Sequence, residues 1–261
     1  MTSSVHVVLE EAALAAQSAY RHARRTFTRE ELERIVGDGA DGTPTMFIDQ
    51  FIEQSVVETV AGLGVNLLSE ELGFVDLGSN LTVVADPLDG SANAAADVPL
   101  SCFSAALADD GTFTESITVW LETGRSWRAN TREPSEYRTT GQTFLSKAAV
   151  SMLRPHPRNR ESWLQVADRA DRIRILSCST LEACLVAQGS TDAFVDAGSD
   201  THRLCDLAAA LVLIPSTGGV VIDAKGRPIE FDVDLTRRWS GVVAATPQLA
   251  EELASAIADG V

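Results

Sequence analysis

Residues 81–97, LTVVADPLDGSANAAAD, end an apolar run in Asp86-Pro87-Leu88-Asp89-Gly90-Ser91. Pro87 fixes one backbone dihedral and removes a donor, so the turn is stiff. The three-residue offset lets Asp86, Asp89 and the intervening Leu88 carbonyl face one point. An oxygen-only set of this kind suits Mg²⁺, Ca²⁺ or Mn²⁺ and not structural zinc. If a helix starts at Gly90-Ser91, its backbone N–H groups offer an anion site. One loop then holds cations and a phosphate together. The same letters also make an ordinary turn, because Asp, Pro and Gly favour turns for local reasons.

Other acids extend the set and carry alternatives of their own. Glu70-Glu71 follow the apolar VNLL and read either as ligands or as a solvated pair at a strand end. Asp206 precedes LAAALVLI and reads as a ligand or a helix cap. Asp49 lies beside Ile48 and Phe51 near an apolar face, where an unpaired acid is costly unless it tilts toward water. If several converge, repulsion decides the chemistry. Two carboxylates about 4 Å apart cost about 4 kcal/mol at an effective dielectric near 20. Divalent cations are a simpler remedy than shifted pKa values. Arg174 and Arg203 read by themselves as surface ion pairs. Asp196 is a further polar candidate, and His202 reads as structural or exposed. His6, His22 and His156 have no metal-ligand spacing.

The elements that position these residues follow from periodicity. Residues 4–23 read as a helix capped by Ser3 or Ser4, with Val5, Val8, Leu9, Ala12, Ala13, Ala16 and Tyr20 on one face. A second helix over 44–61 places Pro44 in its first turn and repeats Phe51, Ile52, Val56, Val60 and Leu63. Residues 64–145 have the texture of a mainly antiparallel sheet: VNLLSEE, LTVVADP, SCFSAALAD, FTESITVWLE and SWRAN. The polar stretch 125–146 separates an N-terminal half, 1–135, from a C-terminal half, 136–261. In the second half, strands AAVSML and IRILS flank a helix near 159–170. Helix 180–188 follows, with Ser179 and Glu182 spaced as a capping box and Gly189 as its stop. Then come strand TDAFVDA, a helix over 206–214, strands GGVVIDA and WSGVVAAT, and a last helix over 247–258. That order is an α/β half around a largely buried sheet.

The chain has 261 residues, 37 acidic and 21 basic, for a net charge of −16. This balance disfavours nucleic acid and anionic membranes as partners. A small anionic substrate stays compatible with it, because bound cations reverse the sign of a site. Cys102, Cys178, Cys184 and Cys205 form no CxxC pair and read as free buried thiols of a reducing cytosol. No signal peptide and no membrane-length apolar run is read, so the expected location is cytoplasmic.

The segment VVADPLDGSANAAADVPLSCFSAAL resembles the first signature of the inositol monophosphatase superfamily. LLSEELG resembles its paired-glutamate segment, and CDLAAALVLIPSTGGVVIDAKGRPI its second signature. GADGTPTMFIDQFIEQSVV is similar to the archaeal-type inositol monophosphatase/fructose-1,6-bisphosphatase branch. The segments keep the family's order over roughly residues 5–258. The resemblance implies a layered α-β-α-β-α sandwich and Mg²⁺-dependent phosphomonoester hydrolysis with two or three ions, Mn²⁺ being a substitute. Glu70, Asp86 and the Leu88 carbonyl would hold the first ion; Asp86, Asp89 and Asp206 the second; Glu70, through water, a weaker third. Asp49 and Ser91, with Glu70, would orient and activate the attacking water. Asp89, Gly90 and Ser91 would meet the phosphate, and Arg174, Ser179 and Arg203 the rest of the substrate. A homodimer and lithium sensitivity are implied likewise.

The sequence departs from the family on the substrate side. Cys205 replaces the usual Trp, Ser91 stands where Thr is commoner, and NTREPSEYRTTG replaces a Gly-rich segment. The substrate expectation is therefore broad: a phosphorylated sugar, polyol or nucleotide. Alternatives are 3′-phosphoadenosine 5′-phosphate, histidinol phosphate or a specialised intermediate, and a non-catalytic metal-binding relative. An aspartyl-phosphate mechanism needs Asp-x-Asp, and the offset here is three.

Overall fold

The first helix is stabilised from one side only. The structure is a computed structural model that describes residues 4–260. In it α1 (Val7–Thr26) buries Val8, Leu9, Ala12, Ala13, Ala16, Ala19, Tyr20 and Ala23. Its cap differs from expectation. His6 is the N-cap, its Nδ1 accepting from the Val8 N–H at 3.2 Å; Ser4 lies before it and Ser3 lies outside the described residues. A short α2 (Arg29–Glu33) is closed by a Thr28/Glu31 capping box. It leads into a hairpin, β1 (Ile35–Asp38) and β2 (Pro44–Met46).

Pro44 thus opens a strand, and the second long helix, α3 (Phe47–Gly62), starts three residues later than periodicity suggested. The reason is local: the Asp49 carboxylate accepts from the Met46 N–H at 3.1 Å and caps the helix there. Ile52, Val56 and Val60 are buried as expected, while Leu63 is exposed.

Strands β3 (Asn66–Ser69), β4 (Gly73–Val75) and β5 (Leu81–Asp89), the five-residue helix α4 (Ser91–Ala95), and strands β6 (Cys102–Asp109), β7 (Thr112–Trp120) and β8 (Ser126–Asn130) follow. They form a six-stranded sheet in the order β4-β3-β5-β6-β7-β8, antiparallel except for the β3–β5 pair. The chain then runs through irregular backbone to β9 (Ala149–Met152), α5 (Arg160–Arg169), β10 (Arg172–Arg174), α6 (Ser179–Ala187), β11 (Ala193–Val195), α7 (Leu204–Ser216), β12 (Val220–Asp223), β13 (Gly241–Ala244) and α8 (Pro247–Ala258). The second sheet, β10-β9-β11-β13-β12, mixes parallel and antiparallel pairs.

These elements stack as helices, sheet, helices, sheet, helices. α1 and α3 cover the first sheet, α6 and α7 lie between the sheets, and α8, with α5 against it, closes the second. Sequence composition follows the layers. α7 reads LCDLAAALVLIPS and buries all sides because it has a sheet on each face. α1 is an outer layer and keeps a polar face. The run LTVVA of β5 is almost wholly buried between two helical layers. The four cysteines are free and buried. Among the described residues no helix is long and apolar enough to cross a membrane.

Candidate active site

The parallel β3–β5 pair creates the site. Ser69 is in register with Ala85, so the next residues, Glu70 and Asp86, emerge at the same end of adjacent strands. Ligand sites of open sheets sit at such carboxyl ends. The β5–β6 register then shifts between Asp86 and Asp89, which re-aims the strand end at Pro87-Leu88. The Asp86 Oδ1 accepts from the Leu88 N–H at 3.0 Å, fixing the turn. Gly90 has φ +85°, and a β-carbon there would meet the Leu100 carbonyl oxygen at 2.6 Å, so only glycine fits. α4 begins at once, and the Ser91 hydroxyl donates to the Leu88 carbonyl at 3.0 Å.

Each remaining acid arrives on its own element. Asp49 enters from the first turn of α3 and is buried. Asp206 enters from the first turn of α7, its Oδ2 accepting from the Arg203 N–H at 2.6 Å. Asp89 is held from α6, whose Thr180 N–H donates to its Oδ2 at 2.6 Å. A cavity of about 10 Å³ is lined by Asp49, Glu53, Glu70, Glu71, Asp86, Pro87 and Leu88. That is room for one water-sized occupant.

Proton affinities record the crowding. Burial lifts Glu70 well above the usual carboxylate range, and Asp206, Glu71 and Asp49 add to the rise against the relief from Arg203. Burial, Glu70, Asp89 and Asp206 lift Asp86 likewise. Asp89 is pushed up to about 6 by burial and by Asp206. Asp49 is pushed up to about 6 by burial, against stabilisation from the Ser91 hydroxyl and the Met46 N–H. Burial is the largest single influence on Asp206 and pushes it up, but the charge of Arg203, the neighbouring His202 and the hydrogen bonds from Arg203 together outweigh it and leave this carboxyl below its ordinary value. Arg203 therefore favours the ionised form of Asp206, which also receives its backbone N–H, while Glu70 and Asp86 hold protons more readily than ordinary carboxyls.

Arg203 is the cation of the cluster. Its guanidinium pairs with Glu70, with Asp41 at 2.7 Å and with Asp206 at 3.2 Å. Among the described residues no three acidic, histidine or cysteine side chains stand in ligating arrangement around one point. The guanidinium lies on two of the acids that would have to supply it. The chemistry of the donor set nevertheless fits a hard divalent cation. It consists of carboxylates and a carbonyl, without thiolate or imidazole, and one guanidinium is shared among three acids, Asp41, Glu70 and Asp206.

The other sequence candidates fall in different places. Arg174 ends β10, with a buried Nη1 that has no partner among the described residues. Ser179 opens α6 but does not cap it. The N-cap is Cys178, while the Glu182 carboxylate accepts from the Leu176 and Cys178 N–H groups at 3.3 and 3.4 Å. Asp196 is buried, bonded to Ser199 and Thr201. His202 is buried, its Nδ1 accepting from the Gly241 N–H at 3.2 Å and its ring edge-on to Phe194. The His202 Nε2 is buried without a hydrogen-bond partner among the described residues.

Three residues were missed. Glu53 lies one turn after Asp49 and receives N–H groups from Glu71 and Leu72 at 3.1 Å; the i,i+4 spacing was its signal. Asn93 clamps α4 to the 176–178 loop, its Nδ2 reaching the carbonyls of Leu100, Leu176 and Ser177. Asp41, in the hairpin turn, meets Arg203 and Arg238.

A five-layer sandwich whose acids converge at the end of a parallel strand pair is the architecture of the sugar-phosphatase superfamily. A sequence model described as inositol monophosphatase family matches residues 2–261. The chain belongs to the inositol monophosphatase family, on its archaeal-type branch. A Thermococcus kodakarensis fructose-1,6-bisphosphatase/inositol-1-monophosphatase is 30% identical over 86% of this chain and 87% of its own length. A protein of the same description from Methanocaldococcus jannaschii is 27% identical over 85% and 88%. The crystal structure of an inositol monophosphatase-fructose 1,6 bisphosphatase superposes with a TM-score of 0.83 at 24% identity, covering 97% of this chain and 98% of that one. At family level this is a phosphomonoesterase fold for small phosphorylated substrates.

Proposed function

We propose that this protein is a Mg²⁺-dependent phosphomonoesterase acting on a small phosphorylated polyol or sugar, of the inositol monophosphate or fructose bisphosphate kind. The observation that carries the reading is the convergence of Glu70, Asp86, Asp89 and Asp206, from two strand ends and a helix start, beside the Gly90-Ser91 turn. Glu70, Asp86, Asp89, Asp206 and the Leu88 carbonyl would hold the ions. Bound divalent ions supply electrostatic stabilisation of the attacking and leaving oxygens of a phosphoryl transfer.

The chain's own groups do the rest. The Gly90 and Ser91 amides, brought close by the tight turn, bind phosphate oxygens. The Ser91 hydroxyl, already directed at the Leu88 carbonyl, orients the attacking water. For the relay the Ser91 hydroxyl would turn from the Leu88 carbonyl to Asp49, giving Asp49 its proton as it takes one from the water; Asp49, pushed up to about 6, is suited to accept it. Arg174, Ser179 and Arg203 face the alcohol portion.

Phosphate release tests the reading. The panel is inositol monophosphate, fructose 1,6-bisphosphate, 3′-phosphoadenosine 5′-phosphate, histidinol phosphate and NADP, each with Mg²⁺ and with EDTA. NADP belongs in it because a Methanococcus maripaludis bifunctional NADP phosphatase/NAD kinase is 27% identical over 94% of this chain and 48% of its own length. Mg²⁺-dependent release led by a polyol or sugar phosphate is expected. Preference for the nucleotides, or release that survives EDTA, would overturn it.

A further inference from the structure

The geometry points to Arg203 as an internal competitor for the divalent cation, one side chain that occupies the oxygens of Glu70 and Asp206 to which the ion must bind. The inference rests on the proposed metal dependence and goes beyond a substrate-binding role for this arginine.

The sequence sets it up. Arg203 is the N-cap residue of α7, three positions before Asp206. Its backbone N–H and Nε both donate to the Asp206 Oδ2, at 2.6 and 3.2 Å. The same guanidinium extends through Nη1 to Glu70, 133 residues away, and to Asp41 at 2.7 Å. Its side chain is 18% exposed, and the Asp41 side chain is fully buried. Charge-assisted bonds in such an enclosure are strong, so the arginine does not leave these oxygens without replacement.

A guanidinium brings one charge to the cluster, and a divalent ion brings two. Both are drawn to the same carboxylates, and the oxygens of Glu70 and Asp206 cannot serve both at full strength. Binding of the ion therefore includes the work of moving Arg203. By linkage, whatever removes the arginine strengthens the ion. Arg203 also compensates part of the charge that burial makes costly, so its loss destabilises the protein where no ion replaces it. Arg238 provides the contrast. It is an equally cationic neighbour that meets Asp41, at 3.4 Å, but neither Glu70 nor Asp206.

The test is Mg²⁺ titration by calorimetry, with thermal unfolding in EDTA and across Mg²⁺ concentrations, on the wild type, Arg203→Met and Arg238→Ala. Arg203→Met is expected to bind Mg²⁺ about tenfold or more tightly. It should unfold at lower temperature in EDTA and gain more than the wild type on adding Mg²⁺. Arg238→Ala should keep the wild-type Mg²⁺ dependence. If Arg203→Met does not fold in EDTA, Arg203→Lys is titrated instead, with affinity above wild type expected. Equal or weaker Mg²⁺ binding by the Arg203 variants overturns the inference, as does an equal gain in Arg238→Ala, which would reduce the effect to net charge. No Mg²⁺ binding by any protein, wild type included, overturns the proposed function and the inference with it.

Discussion

Asp89→Asn separates what the site does for stability from what it does for chemistry. Asp89 Oδ2 accepts from Thr180 N–H at 2.6 Å, a bond that an asparagine Oδ1 can also accept. The substitution therefore keeps the α6 contact and removes one charge. In EDTA that removal is favourable: burial and Asp206 both oppose ionisation of Asp89. Two carboxylates about 5 Å apart repel by about 3 kcal/mol at an effective dielectric of 20. Part of this is offset because the neutral asparagine accepts a weaker bond from the Thr180 N–H than the charged carboxylate does. A gain of about 1 kcal/mol at pH 7 is the expected remainder. For chemistry the same charge is a proposed ligand, and losing about 4 kcal/mol of transition-state stabilisation lowers kcat about a thousandfold. Thermal unfolding in EDTA and phosphate release with saturating Mg²⁺, on one preparation, read both effects. A variant less stable than wild type in EDTA would refute the repulsion argument. One with wild-type turnover would refute the ligand assignment.

Ser91→Ala should lower kcat more than it raises KM, because the hydroxyl acts on the water and on Asp49; steady-state kinetics showing a KM effect alone would leave Ser91 a binding role. Glu182, lifted by burial to about 8, is neutral in the fold at pH 7. Glu182→Gln should keep turnover at pH 7 within about twofold and be more stable than wild type. Its margin should grow as pH rises from about 4.5 to about 8, because the native carboxyl holds its proton where the unfolded one has lost it; a melting series showing a margin that shrinks with pH would exclude this. The acids of the site behave alike. Asp49 and Asp89 at about 6 and Glu71 at about 7 bind protons more tightly when folded, so their contribution to stability falls as pH rises from about 4 through those values. Mg²⁺ opposes that fall, and the gap in unfolding temperature between Mg²⁺ and EDTA should widen from pH 4 to 7.

Local signals made much of the fold legible. The last helix was read as 247–258 and is Pro247–Ala258, because Pro247 suits its first turn and the Thr246 hydroxyl caps it, accepting from the Leu249 N–H. The strands around LTVVADP and SCFSAALAD fell where apolar runs met turn residues. The misplaced helix start shows the limit. Pro44 suits a helix N-terminus and a hairpin strand equally, and the Asp49 carboxylate, not a residue before the helix, decides where α3 begins. In the site, the proximity of Asp86, Leu88, Asp89 and Ser91 was legible because one turn holds them. Glu70 and Asp206 were candidates with alternatives from the residues alone, and the family resemblance implied a ligand role for them. Beyond its neighbour Asp206, the partners of Arg203 were not legible, since Glu70 and Asp41 lie 133 and 162 residues away and only the stacking of α7 against the first sheet brings them together. Asn93 was hidden for the same reason, its acceptors being loop carbonyls about a third of the chain distant.

The most direct test of the account is phosphate release from inositol monophosphate or fructose 1,6-bisphosphate by the wild type and by Asp86→Asn, after exhaustive chelation and on return of Mg²⁺. The account predicts no release after chelation, recovery with Mg²⁺ in the wild type, and no recovery in Asp86→Asn. Release by the chelated wild type, or full recovery by the variant, would contradict it.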